Sequence, residues 1–180
     1  SASHNPYHDN GIKFFGGDGY KLPDAVEDEL EAIVHQLEKD DTLARPSGEK
    51  IGHIEYRADL LNQYIDFVLS TCHERFDGMN IVLDCANGAS YQVMPRVLRE
   101  LGAKVKVIHA LPNGVNIKDK CGSTHLESLQ RTVLETHADF GIAHDGDADR
   151  CLCVDEKGQI IDGDHIRVMC AQDMIKGGTL

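Results

Sequence analysis

The chain has 180 residues, with 30 Asp and Glu against 18 Lys and Arg, a formal net charge of −12 and 41% hydrophobic residues. That length suits one domain or two small ones, and the apolar share is enough for a packed core. The acid excess argues against a general nucleic-acid binder or a protein held on anionic membranes, and no apolar run approaches the ~20 residues of a membrane helix.

Residues 1–10, SASHNPYHDN, read as a polar loop with turn signals at Asn5-Pro6 and Asn10-Gly11. No signal-peptide pattern opens the chain, and it begins inside this loop without an initiator Met, so a piece of something longer is expected. Ile12 to Phe15, the Gly16-Gly17-Asp18-Gly19 turn and Tyr20-Lys21-Leu22 predict a hairpin. Asp24, with Glu27 three residues on, is placed to cap a helix striped by Val26, Leu30, Ile33, Val34 and Leu37. Residues 39–53 lose that periodicity and read as a linker between a first part, 1–50, and a second, 54–180.

From about residue 56 the pattern becomes α/β. Leu60, Leu61, Tyr64, Ile65 and Val68 mark a helix, and Ile81-Val82-Leu83 a strand ended by Asn87-Gly88. Ser90 is placed to cap a helix to Leu101, and Val105–Ile108 is a second strand. After a long loop, Thr124 and Glu127 have the spacing of a capping box for a helix to about His137. Phe140–Ala143 and Cys151–Val154 are further strands, then Ile160-Ile161 and a helix from about Asp164 to Gly177-Gly178. Alternating strands and helices imply a mixed, mostly parallel sheet between helix layers. Only His144 to Arg150 separate the third and fourth strands, too few residues for a parallel crossover, so that pair should be antiparallel. The six cysteines show no CxxC pair and no Cys/His zinc spacing; several sit in apolar runs and read as reduced core thiols of a cytosolic protein.

The sharpest chemical feature is Asp145-Gly146-Asp147-Ala148-Asp149-Arg150. In an extended or gently curved loop, a period of two turns three carboxylates to one side. Their mutual repulsion asks for a cation, and hard oxygen ligands suit Mg²⁺ or Mn²⁺ better than zinc. The bland alternative is a solvated acidic turn. An EF-hand reading fails at its sixth position, where Gly is needed and Arg150 stands. Ser3 beside His4 is a candidate nucleophile or simply a chain end. Lys13 and Arg150 could serve a phosphate, or be a solvated residue and an ion-pair partner. The loop from Asn113 to His125 could place ligand groups at a helix start, or be a surface loop. His4, His125 and His144 could be ligands or surface and packing residues. No G-x-S-x-G elbow and no P-loop is present.

SASHNP followed by NGIKFF and then DGDADR resembles the α-D-phosphohexomutases, and SASHNPYHDNGIKFF together with NGVNIKDKCGSTH is similar to their bacterial phosphoglucosamine mutase branch. The resemblance implies domain 2 of that fold at 54–180, preceded at 1–50 by the C-terminal part of a similar domain 1. It implies that Ser3 carries the phosphoryl group, with His4 or Lys13 in proton transfer. Asp145, Asp147, Asp149 and an oxygen of phosphorylated Ser3 would bind Mg²⁺, and Arg150 would hold phosphate. The implied reaction is glucosamine 6-phosphate to glucosamine 1-phosphate through a 1,6-bisphosphate, in the cytoplasm, feeding peptidoglycan precursors. A phosphomannomutase/phosphoglucomutase of the same family, or a non-catalytic metal-binding module, are the alternatives. Ala148 stands where Gly is common in the branch, and His144 where Phe is usual. Family members have four domains, so the fragment is expected to keep the metal loop without interconverting sugars. Residues 1–50 would be loose or dock on a neighbouring chain. The implied partner is a phosphosugar, with no nucleic acid and no membrane; homo-oligomerisation stays open.

Overall fold

The computed structural model describes residues 5–40 and 45–179. They form two compact units, one of residues 11–57 and one of residues 58–179 with 5–10. Among the described residues no helix is long and apolar enough to cross a membrane.

In the smaller unit the expected hairpin shrinks to a single antiparallel bridge, Phe15 with Lys21, closed by Gly16 N–H donating to the Tyr20 carbonyl at 2.8 Å. Helix α1 spans Asp24–Lys39. Asp24 lies inside its first turn rather than capping it, and no side chain caps that end. Lys21 takes both carboxylates expected for capping, at 3.4 Å from Asp24 and 2.8 Å from Glu27. No residue of α1 is buried, so its apolar stripe gains little from this unit.

The larger unit is built on a five-stranded sheet in the order β2-β1-β3-β4-β5. The strands are β1 (Asn80–Asp84), β2 (Lys104–Ile108), β3 (Phe140–His144), β4 (Cys151–Asp155) and β5 (Ile160–Ile161). β1 pairs parallel with both β2 and β3, whereas β3–β4 and β4–β5 are antiparallel. The short third-to-fourth connection forces that reversal, as expected. Helices α2 (Asp59–Ser70), α3 (Met94–Glu100), α4 (Glu127–Thr136) and α5 (Gly163–Gly177) complete the unit.

Strand alternation sorts the core into two layers. Ile81 and Leu83 of β1 pack with Leu98 of α3, while Val82 between them packs with Leu129 and Val133 of α4. Ile65 of α2 packs with Val97 of α3 and with Val93 and Leu101 at the two ends of that helix. Each fully buried aliphatic side chain of β1 contributes roughly 1.5–3 kcal/mol over exposure.

Two helix starts differ from expectation. Ser90 sits in a 3₁₀ turn, Ala89–Tyr91, and α3 begins only at Met94. Its hydroxyl meets the buried His144 ring at 3.1 Å instead of a helix end. Thr124 likewise closes a 3₁₀ turn, and α4 starts at Glu127 without a side-chain cap. All six cysteines are free; Cys85 and Cys121 are core thiols, but Cys151 and Cys170 are exposed.

Candidate metal centre

Parallel pairing brings the carboxyl ends of β2, β1 and β3 to one edge of the sheet, where open α/β folds collect ligand groups. Three loops meet there: the turn after Asp84, the long loop after Ile108, and residues 145–150 between β3 and β4. The last of these is not extended. Asp145 N–H donates to the Arg150 carbonyl at 3.3 Å, and Ala148 N–H donates to the Asp145 carbonyl at 3.3 Å. Arg150 N–H donates to Asp145 Oδ1 at 3.2 Å. Ala148 sits in the left-handed region, φ 63°. The carboxylates of Asp145, Asp147 and Asp149 therefore converge because the loop closes tightly, not because of a period of two. Each offers an oxygen within 4.8 Å of the others.

Burial grades along the trio: Asp145 is buried, Asp147 half-buried and Asp149 exposed. Asp145 Oδ2 and Asp147 Oδ1 are shut off from solvent. Loss of water around its carboxylate, then the charges of Asp145 and Asp147, raise the Asp149 carboxyl above its ordinary range. Three clustered hard oxygens fit a divalent cation. The loop is pinned from beneath, where Ala89 N–H donates to the Gly146 carbonyl at 2.9 Å. Gly88 permits that approach: a Cβ there would lie 2.9 Å from Gly146 Cα and nearer still to its carbonyl oxygen. Burial lowers the His144 pKa, opposed by the charges of Asp145 and Asp84, and the ring packs behind the loop with Nδ1 3.1 Å from Ser90 Oγ.

Of the other sequence-derived candidates, Ser3 and His4 lie outside the described residues. Lys13 is exposed and belongs to the 11–57 unit. The Arg150 guanidinium is exposed, with Nε 4.0 Å from Asp149 Oδ1. The loop from Asn113 to His125 does more than lead into a helix. With Asn5, Pro6 and Tyr7 it walls a cleft of about 540 Å³, into which Lys118, Lys120 and His125 also face.

Sequence reasoning missed a second cluster at this edge. Asp84 is fully buried; its Oδ1 accepts from Ala86 N–H at 2.8 Å and its Oδ2 from Gly122 N–H at 3.0 Å. His109 Nδ1 lies 2.9 Å from the same Oδ2. Cys121 completes the group: one donor atom from each of Asp84, His109 and Cys121 lies within 4.8 Å of the others. Burial first, then the negative charge of Asp84, push the Cys121 thiol up to about 12. A carboxylate closing an apolar strand was the available signal.

Residues 62–158 match the family of phosphoglucomutase/phosphomannomutase alpha/beta/alpha domain II, and residues 1–41 match domain I. The chain is 51% identical to phosphoglucosamine mutases of Symbiobacterium thermophilum and Clostridioides difficile, and 50% identical to that of Brevibacillus brevis. Each match covers the whole chain but only 40% of the relative's length. Among solved structures, a putative phosphomannomutase from Thermus thermophilus superposes with a TM-score of 0.71 at 22% identity, over 99% of this chain and 40% of that one. A phosphoglucomutase/phosphomannomutase family protein from Burkholderia thailandensis gives 0.62 at 22% identity, over 84% and 32%. These two share the fold; the domain II match, spanning more than half of the sequence, shows that the chain belongs to the phosphoglucomutase/phosphomannomutase family.

Proposed function

We propose that the chain is the part of a phosphoglucosamine mutase that carries the phosphoserine and metal loops. The convergence of three Asp oxygens within 4.8 Å, on the loop that leaves β3, carries this reading. The half-identity to phosphoglucosamine mutases along the whole chain supports the choice of sugar. Residues 1–50 are then the end of domain 1 and 54–180 domain 2, of a cytoplasmic enzyme.

Ser3 Oγ holds the phosphoryl group and exchanges it with the O1 and O6 of the sugar. Glucosamine 6-phosphate becomes glucosamine 1-phosphate through the 1,6-bisphosphate, which must turn round between the two transfers. Asp145, Asp147 and Asp149 hold Mg²⁺ with an oxygen of phosphorylated Ser3. When bound, that ion supplies charge neutralisation to the phosphoryl oxygens and makes the Ser3 oxygen a better leaving group. Arg150 offers its exposed guanidinium to phosphate oxygens, a geometry two N–H groups can meet at once. His4 or Lys13 takes the proton of the attacking sugar hydroxyl and returns it to the departing oxygen.

The test uses the full-length protein and ³²P-labelled glucosamine 1,6-bisphosphate. Label mapped to the Ser3 peptide, with turnover of glucosamine phosphates lost in Asp147→Asn, supports the reading. Label absent from Ser3 overturns it, as does turnover of mannose or glucose phosphates with glucosamine phosphates untouched.

A further inference from the structure

We infer that Asp84, His109 and Cys121 form a second metal site, selective for a borderline ion such as Zn²⁺ or Co²⁺ and separate from the all-oxygen trio. The cluster mixes carboxylate oxygen, imidazole nitrogen and sulfur within 4.8 Å. That donor set suits Zn²⁺ and its neighbours, whereas Asp145, Asp147 and Asp149 offer oxygen alone. The three residues come from three segments: the end of β1, the first residue past β2, and the stretch before the Gly122–Thr124 turn.

The surroundings are those of a held ligand set. Metal-bound carboxylates are usually oriented by further hydrogen bonds. Here Ala86 N–H and Gly122 N–H fix the two oxygens of Asp84 at 2.8 and 3.0 Å. Asn87 Nδ2 approaches Cys121 Sγ at 3.9 Å, a donor that suits a metal thiolate. Metal–ligand lengths of about 2.0–2.3 Å place tetrahedral N, O and S donors roughly 3.3–3.6 Å apart. The His109–Asp84 pair, now at 2.9 Å, opens by a few tenths of an ångström to admit the ion. His109 keeps 29% of its side chain exposed while Asp84 keeps none, so an ion enters from the His109 side and a solvent molecule can take the fourth position. Binding displaces two protons, the Cys121 S–H proton to solvent and the one that His109 Nδ1 shares with Asp84 Oδ2 to solvent or to Nε2 of the same ring, and forms the metal–sulfur and metal–nitrogen bonds; nothing is oxidised or reduced.

Co²⁺ titrated into the whole chain is the probe. One equivalent should give a thiolate-to-cobalt charge-transfer band with tetrahedral d–d absorption, displaced by Zn²⁺. Cys121→Ser and His109→Asn should each lose the band. Asp147→Asn, and a large excess of Mg²⁺, should leave it intact. Zinc X-ray absorption on the unaltered protein reads the same site without substitution and should show one sulfur in the first shell. Absence of the band, its survival in Cys121→Ser, its loss in Asp147→Asn, or a zinc shell of oxygen and nitrogen alone would each overturn the proposal.

Discussion

Gly88→Ala tests how the trio is held. The φ of Gly88 is −108°, so alanine meets no backbone penalty there and the effect is steric. Its methyl would stand 2.9 Å from Gly146 Cα and from the Gly146 carbonyl carbon, and closer to the oxygen. One of the two backbones must retreat, and the 2.9 Å bond from Ala89 N–H to the Gly146 carbonyl is the contact in the way. Leaving that buried carbonyl unmatched costs about 1–3 kcal/mol. Overpacking costs about 1–3 kcal/mol more. Because a single shift relieves part of both, about 2–4 kcal/mol is expected from a domain whose whole stability is of order 5–15 kcal/mol. The movement spreads the carboxylates, so Mn²⁺ affinity should fall about tenfold or more, since a ligand held 1 Å off loses much of its value. Urea unfolding gives the first number and a Mn²⁺ titration followed by electron paramagnetic resonance the second. A variant within about 0.5 kcal/mol of the parent, with unchanged Mn²⁺ affinity, would refute the claim that Gly88 seats the loop.

Ala148→Gly should act in the opposite direction. An alanine at φ 63° carries about 1–2 kcal/mol of strain, and the freer unfolded glycine chain gives back about 0.4–1 kcal/mol. A net gain of about 0.5–1 kcal/mol, a few degrees in Tm, is expected by calorimetry; a fall contradicts the strain argument. The raised Asp149 pKa fixes a pH effect. The folded, metal-free chain holds this proton longer than the unfolded chain, so stability should decline as pH rises from about 3.8 through the raised value and then level off. Divalent affinity should climb through the same window, because the ion displaces that proton; urea midpoints that decline equally in Asp149→Asn would assign the effect elsewhere. Asp84→Ala strands the buried Ala86 and Gly122 N–H donors, at about 1–3 kcal/mol each, and should cost clearly more than His109→Ala; equal costs would show that Asp84 is not the hub.

The sheet was legible because β1 carries Ile81, Val82 and Leu83 in a short β-branched-rich run, ended by Asn87-Gly88, that suits a strand buried on both faces. The start of α1 at Asp24 was legible too, but its cap and the starts of α3 and α4 were not, for a common reason. Capping motifs are read within four residues, but Asp24 was taken by Lys21, Ser90 by His144, and Thr124 by a 3₁₀ turn. The identity of the trio was plain in Asp145, Asp147 and Asp149, whereas its shape depended on a left-handed Ala148 that no spacing rule anticipates. Asp84 and His109 stood 25 residues apart, outside any zinc spacing. Their meeting follows from register: Asp84 pairs with Ile108 across β1 and β2, which sets His109 one step beyond, beside the same strand end.

Topology and chemistry are linked at this edge by one connection. After β3 the chain could have crossed over through a helix to another parallel strand, as it does between β1 and β2, and such a loop would have left the edge along a helix axis. Instead β4 returns antiparallel, with His144 opposite Cys151 as the last rung, and only residues 145–150 make the reversal. A six-residue reversal has no room to spread, so three side chains of alternating positions are driven together, and their mutual repulsion is met by backbone donors such as Arg150 N–H. The shortness that dictates an antiparallel pair thus also dictates a cation-sized gathering of carboxylates. Lengthening the connection by a Gly-Gly insertion between Ala148 and Asp149 separates the two: the β3–β4 rungs should persist, since Phe140–His144 and Cys151–Asp155 keep their register, while Mn²⁺ binding is lost. Retained binding in a lengthened loop would mean that the trio converges for its own reasons, with the ion rather than the chain reversal drawing it in.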